Sequence, residues 1–170
     1  MPLPPITIDD LPLGGVVPGS GPGAAGTGEQ LLSFRLGAEI FIIPIETIVE
    51  ILRWRPVTPV PHAHPVVHGV LSLRGRIITV LDGRRRLGME APAPDATSRI
   101  IVMRDGDEPV GVLVDEVRDV LRLPADAVQP VPPGVGAAAE RGIAGVCDRG
   151  GDELLVRLDP SRFLACDEGA

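Results

Sequence analysis

Apolar residues in this chain come in short solid runs divided by Gly, Pro and Asp, and the spacing within each run sets its reading. Leu31–Leu36 has strand composition, Gly37-Ala38-Glu39 punctuates it, and Ile40–Ile43 resumes it, which predicts a hairpin. Ile45, Ile48, Val49 and Leu52 then fall at i, i+3, i+4 and i+7. That is the stripe of an amphipathic helix, with Pro44 in the first turn, where proline is tolerated. Pro56, Pro59 and Pro61 rule out its continuation and favour an extended segment or edge strand. Val66–Arg74 and Arg76–Asp82 read as two strands around a tight turn at Gly75. Arg84–Leu87 can form one helical turn, stopped by Gly88, and Pro92 and Pro94 make a loop of residues 90–98.

A second strand-rich half follows. Arg99–Arg104 and Val110–Asp115 flank Asp105-Gly106-Asp107-Glu108, a hairpin signal. Val117, Val120 and Leu121 repeat at a spacing that suits a short helix or an extended piece. Pro130, Pro132, Pro133 and Gly134 open another loop. Gly142–Asp148 and Glu153–Asp159 flank Arg149-Gly150-Gly151-Asp152, a third hairpin signal, and Pro160–Ala165 reads as a short closing helix. Short strands punctuated this often indicate an all-β fold. The halves look alike, with Leu81-Asp82 and Leu158-Asp159 in matching places. The expectation is two small β-barrels packed on each other, roughly residues 40–95 with a late strand and residues 99–150, within a folded unit of residues 29–170. Residues 1–28, where Pro and Gly alternate, read as a flexible leader; Ile6–Leu11 could be a docking motif within it.

Composition narrows the function. Apolar residues make up 44% of the chain but aromatic ones only 2%, so the core must be built from Val, Ile and Leu. The net charge of −7 argues against nucleic acid as the main partner and against anionic membrane surfaces. All 16 basic residues are Arg, which excludes a P-loop lysine, a Schiff-base lysine and a kinase-type lysine. Cys147 and Cys166 are far apart in sequence and form neither a C-x-x-C motif nor a zinc ligand set, which fits a reducing compartment. No run approaches the ~20 apolar residues of a membrane span, and the N-terminus lacks a signal-peptide pattern. The expected location is cytoplasmic, without direct membrane insertion.

The residues offer little catalytic chemistry. His62, His64 and His68 come closest to a metal set, since alternate residues of a strand share a face. Pro61 and Pro65 break a regular strand there, so they read as solvated loop histidines; a metal-dependent enzyme using them is the alternative. Ser72 is not in a G-x-S-x-G elbow, and Cys147 has no adjacent activating motif. Asp9-Asp10 and Asp107-Glu108 fall in leader or turn positions. No catalytic residue, metal or cofactor is expected. Charges inside apolar runs are the better candidates: Arg74 at a strand end, Glu50 on the polar side of the apolar stripe, and Trp54 between Arg53 and Arg55. Each has a plainer reading as a solvent-exposed or barrel-end residue, but Trp and Arg are the types that dominate interface energetics.

Taken in order, these pieces resemble the CheW family of coupling proteins from bacterial chemosensory arrays. Ile48–Pro61, Gly69-Val-Leu-Ser-Leu-Arg-Gly75 and Ile77–Asp82 look like its first half, with the patterns V-x-E-I, G-V-I-N-L-R-G and I-x-P-x-x-D-L. Val110–Val120 looks like its V-G-x-x-V-D-x-V-x-D-V run, and Gly142–Val146 with Leu154–Asp159 like its closing hairpin. The resemblance covers about Gln30 to Ala165 and implies two five-stranded SH3-like barrels. It implies a non-catalytic adaptor binding the regulatory domain of a CheA-type histidine kinase and the cytoplasmic tip of methyl-accepting chemoreceptors. By resemblance the contact positions are Ile48, Glu50, Arg74 and Gly75, with Trp54 beside them; Val114 and Val117 fall at or near the groove where a receptor tip docks. A scaffold of the same fold in surface motility or development is the alternative. Thr79 and Gly83 depart from the pattern in strand and turn details, and His62 and His64 stand where the family tends to have Asn and Pro.

Overall fold

The solid apolar runs are strands buried on both faces. The computed structural model describes residues 28–131, 141–149 and 153–165, so the expected leader apart from Gly28, and the turn residues Gly150–Asp152, lie outside it. Ten strands run through the described residues: β1 (Glu29–Leu36), β2 (Glu39–Pro44), β3 (Ile48–Arg53), β4 (Val67–Leu73), β5 (Arg76–Asp82), β6 (Arg99–Asp105), β7 (Glu108–Val114), β8 (Glu116–Leu123), β9 (Ile143–Asp148) and β10 (Leu154–Leu158). They form two five-stranded sheets, ordered β3-β6-β7-β5-β4 and β8-β1-β2-β10-β9. Each is an SH3-like barrel, as expected.

Three apolar cores explain the absence of polar alternation. On β2, Ile40 and Ile42 enter the core of their own barrel, while Phe41 and Ile43 enter a seam between the barrels. On β6, Ile100 and Val102 turn inward and Ile101 and Met103 turn to the seam. A period of two is still present, but both faces meet apolar neighbours, so the run reads as continuous.

The duplication is also present, in exchanged form. The two sheet orders correspond strand for strand, each with one parallel pair, β5 with β7 and β10 with β2. One barrel uses β3 to β7 and is contiguous in sequence; the other draws on β1, β2 and β8 to β10. After each of the hairpins β1–β2 and β6–β7 the chain crosses to the opposite barrel. The expected division near residues 95–99 is therefore corrected: β6 pairs with β3, and β7 with β5, inside one sheet.

The helix expected from Pro44 to Leu52 is strand β3, preceded by a single 3-10 turn at Ile45–Thr47. A bulge explains the misreading. The β3–β6 register slips between Ile48 and Glu50, so seam-facing Ile48 and Ile51 lie three residues apart and imitate a helical period. Val49, the extra residue, is 45% exposed rather than part of an apolar stripe. The β1–β8 pairing carries a matching bulge, which puts Val117 and Val120 at the same spacing. β-branched residues such as these fit the pleated strand better than a helix.

Two glycines mark where the barrels are pinched. A Cβ on Gly69 would lie 2.6 Å from the Thr58 carbonyl oxygen, and one on Gly145 would lie 2.5 Å from that of Gln129. Each sits beside a single bridge, Thr58 with Val70 and Gln129 with Val146, that ties an irregular segment to the barrel. The one-turn helices α1 (Gly83–Arg86) and α2 (Pro160–Leu164) follow the two Leu-Asp steps as expected. The Asp82 carboxylate accepts from the Arg84 and Arg85 amides, and Asp159 accepts from the Ser161 amide.

Candidate functional site

The β4–β5 hairpin turns on two residues, Arg74 and Gly75, with φ of +51° and +81°. A two-residue hairpin loop needs left-handed geometry at both centres, which glycine accepts freely and arginine only at a cost. The cost places the Arg74 side chain over β3. There Nη1 donates to Glu50 Oε1 at 2.6 Å and Nη2 to Oε2 at 3.1 Å. This is the bidentate fork that guanidinium and carboxylate form best. The Arg74 side chain is 67% exposed and that of Glu50 only 10%, so the pair presents a cation to solvent over a shielded anion.

Two exposed apolar residues lie close to the pair along the chain. Ile77, on β5 next to the turn, is 71% exposed, and Val49 adjoins Glu50. Sequence reasoning missed both. Period-two alternation with buried Ile78 and Val80 points Ile77 outward, so that signal was available; Val49 is hidden by its bulge. Trp54, partly buried, packs against the barrel core, as do Val57 and Leu73. Its Nε1 is buried and has no hydrogen-bond partner.

The second barrel shows what makes Glu50 distinctive. Ile48-Val-Glu-Ile-Leu-Arg53 and Val117-Arg-Asp-Val-Leu-Arg122 match residue by residue, with bulges at the same place. Asp119, the counterpart of Glu50, is turned inward. It accepts from the hydroxyl of buried Ser33, and its amide donates back to Ser33 Oγ at 3.1 Å. One carboxylate is committed to the fold; the other faces outward through Arg74.

Ile48, Val114 and Val117 are gathered elsewhere, at the seam between the barrels: Ile48 and Val114 are buried in it and Val117 packs against it. Asp115, between Val114 and the crossover strand β8, ties the barrels together. Arg84 Nε donates to both of its oxygens at 2.9 and 2.8 Å, and the Gly37 amide donates to Oδ2 at 2.7 Å. These bonds push the Arg84 guanidinium above its ordinary range, chiefly through its hydrogen bonding to Asp115.

The histidines are dispersed in role. His62 and His64 line an open cavity of about 850 Å³ together with Asp105 and Leu164, while His68 Nδ1 stands 4.0 Å from Asp82 Oδ2. Among the described residues no group of three or more His, Cys, Asp or Glu could hold a metal ion. No helix of the described residues is long and apolar enough to cross a membrane.

Known proteins are similar to this chain. A family model described as CheW-like domain matches residues 30–168. The chain is 41% identical to a chemotaxis protein CheW of Rhizobium meliloti over 105 residues, 62% of this chain and 68% of that one. It is 31% identical to the chemotaxis protein CheW of Klebsiella aerogenes, covering 84% of this chain and 86% of that one. Protein FrzA of Myxococcus xanthus is 31% identical over 80% of this chain and 85% of its own. Among solved structures, the scaffolding protein TtCheW of Thermoanaerobacter tengcongensis superposes with a TM-score of 0.70 at 24% identity, over 78% of this chain and 90% of that one.

Proposed function

The chain belongs to the CheW-like domain family, and from that premise we propose that it is a chemotaxis coupling adaptor that joins chemoreceptors to a CheA-type histidine kinase without chemistry of its own. The observation that carries the site is the bidentate Arg74–Glu50 pair, held outward on a strained turn with Val49 and Ile77 exposed beside it. A rim charge over a small apolar surface fits a protein contact. In this reading the hairpin face meets the kinase regulatory domain, with Gly75 needed for the turn and Trp54 bracing the barrel end. The seam near Ile48, Val114 and Val117 meets the receptor tip. The working location is the cytoplasm.

The deciding experiment is co-purification of the full chain with the kinase regulatory domain and with a receptor cytoplasmic fragment, comparing wild type with Arg74→Ala and Glu50→Ala. Folded variants that lose the kinase are expected; unchanged capture of both partners would sink the assignment. A second reading, a CheW-like scaffold serving an output other than chemotaxis, rests on the similarity to FrzA, a relative not named for chemotaxis. Capture of a kinase that acts in a different pathway would favour it.

A further inference from the structure

Arg53 on β3 and Arg99 on β6 stand directly opposite each other, and Arg99 in turn stands opposite Val114 on β7. Residues in register across antiparallel strands point to the same face. The face is identified by their neighbours two residues along: Ile51 and Ile101, like Val114 itself, pack into the seam. The row Arg53–Arg99–Val114 therefore runs from the exposed rim of the barrel into the seam between the barrels.

A like-charged pair placed directly opposite is unfavourable for a sheet. In a chain of net charge −7 two facing cations are also an unexpected feature. Arg53 is exposed, and its side chain has no hydrogen-bond or ion-pair partner among the described residues. Arg99 donates from Nη1 to the Ala96 and Ser98 carbonyls at 2.8 Å, with no carboxylate in contact. Glu116, the acid whose charge acts on Arg99, is itself engaged with Arg35 at 3.2 Å. Burial and the facing Arg53 charge both hold the Arg99 guanidinium below its usual range. The fold thus tolerates a repulsion that one neutral substitution would remove.

We propose that Arg53 and Arg99 form a carboxylate-reading rim for the seam, selecting a receptor segment that presents acidic side chains beside its apolar strip. This rests on the reading above, in which the seam near Val114 and Val117 takes the receptor tip, and adds the charge that decides which tip is accepted. A rim charge of this kind acts mainly on association rate and salt dependence.

The test uses the full chain, a receptor cytoplasmic-tip fragment and calorimetry at low and high salt, alongside thermal melts. Arg53→Gln is the mild variant. Arg53→Glu is the sharper one, because it creates an opposite-charge pair with Arg99. Arg53→Glu is expected to raise the melting temperature by about 1–3 °C while weakening fragment binding about tenfold at low salt. At about 0.5 M salt the binding difference should shrink to less than about twofold. Equal binding by wild type and Arg53→Glu at low salt overturns the rim. So does a loss that persists at high salt, which would mean a steric or apolar role. If Asp9→Asn with Asp10→Asn abolishes the effect of Arg53→Glu, the leader of this chain is what the arginines hold, and the proposal fails. Failure of the wild type itself to bind the fragment takes down the seam assignment as well.

Discussion

Arg74 closes both arms of its guanidinium on the Glu50 carboxylate across 24 residues of sequence, from a backbone position that arginine rarely adopts. The two ends of this bond differ in exposure, and so the two truncations should differ. Arg74→Ala leaves a shielded carboxylate without its partner and should cost about 1–2 kcal/mol. Glu50→Ala leaves an already exposed arginine and should cost about 0–1 kcal/mol. Both should weaken kinase capture at least about tenfold, as loss of an interface arginine or its clamp does. Chemical denaturation and titration on the same preparations measure the two effects. Equal stability losses would contradict the exposure argument, and undiminished binding would contradict the site.

Gly69 and Gly145 should behave as a matched pair. Alanine at either brings a methyl group against a backbone carbonyl that belongs to a bridge, so neither side can yield cheaply. Each substitution is expected to cost about 1–3 kcal/mol in denaturant unfolding. A tolerant Gly145→Ala beside an intolerant Gly69→Ala would show that the two barrels are not pinched alike.

Asp115 joins Arg84 of one barrel to the Gly37 turn of the other. Asp115→Asn keeps the shape but removes the charge from the Arg84 bonds, and should destabilise by about 1–3 kcal/mol. Arg84→Ala should cost a similar amount, and the double variant less than the sum, because both remove one interaction. Additive losses would mean the clasp contributes nothing as a pair.

His68 should make the fold acid-sensitive. Burial holds its imidazole below the ordinary value; Asp82 works against that and Arg85 adds to it. The unfolded chain then takes up the proton more readily than the folded one. The contribution to stability is full above about pH 6.5 and is lost as pH falls through the lower folded value. Thermal melts between about pH 7.5 and pH 5 should fall more steeply for wild type than for His68→Asn. Identical slopes would rule the residue out.

Much of this fold was legible because hairpin turns and Leu-Asp caps are local devices. The turns at Gly37, Gly75 and Gly106 each have a positive φ that glycine supplies, and each was visible as punctuation. The β3 misreading arose from a bulge, which is a relation between two strands and leaves no mark on one of them. The exchange of strands between barrels was hidden for the same reason: pairing partners such as β1 and β8 are set by tertiary packing, not by spacing.

The site was legible in parts. Arg74 and Glu50 stood out as charges inside apolar runs, and the resemblance gave them a joint meaning, but nothing local showed that they touch. Asp115 entered the sequence only as the end of a predicted strand, because its partners Arg84 and Gly37 lie 31 and 78 residues away. Arg53 and Arg99 lie 46 residues apart, and only the strand register sets them face to face.

The exchanged strands also fix an order of events at the ribosome. The barrel of β3 to β7 has all its strands once residue 114 has emerged, although its chain begins after the first hairpin. The hairpin β1–β2, made first, must wait for β10 at residues 154–158 before its parallel partner exists. At about 5–20 residues per second, the part of that wait that follows completion of β7 lasts roughly 2–9 s. During it the seam faces of Phe34, Phe41 and Ile43 can be covered only by the barrel that is already complete, so the later-encoded barrel serves as the template on which the earlier hairpin is kept from aggregating. Limited proteolysis of stalled nascent chains ending near residue 150, where β7 has emerged and β10 has not been made, tests this: protection should cover residues 48–114 first, and protection of β1–β2 alone would reverse the order.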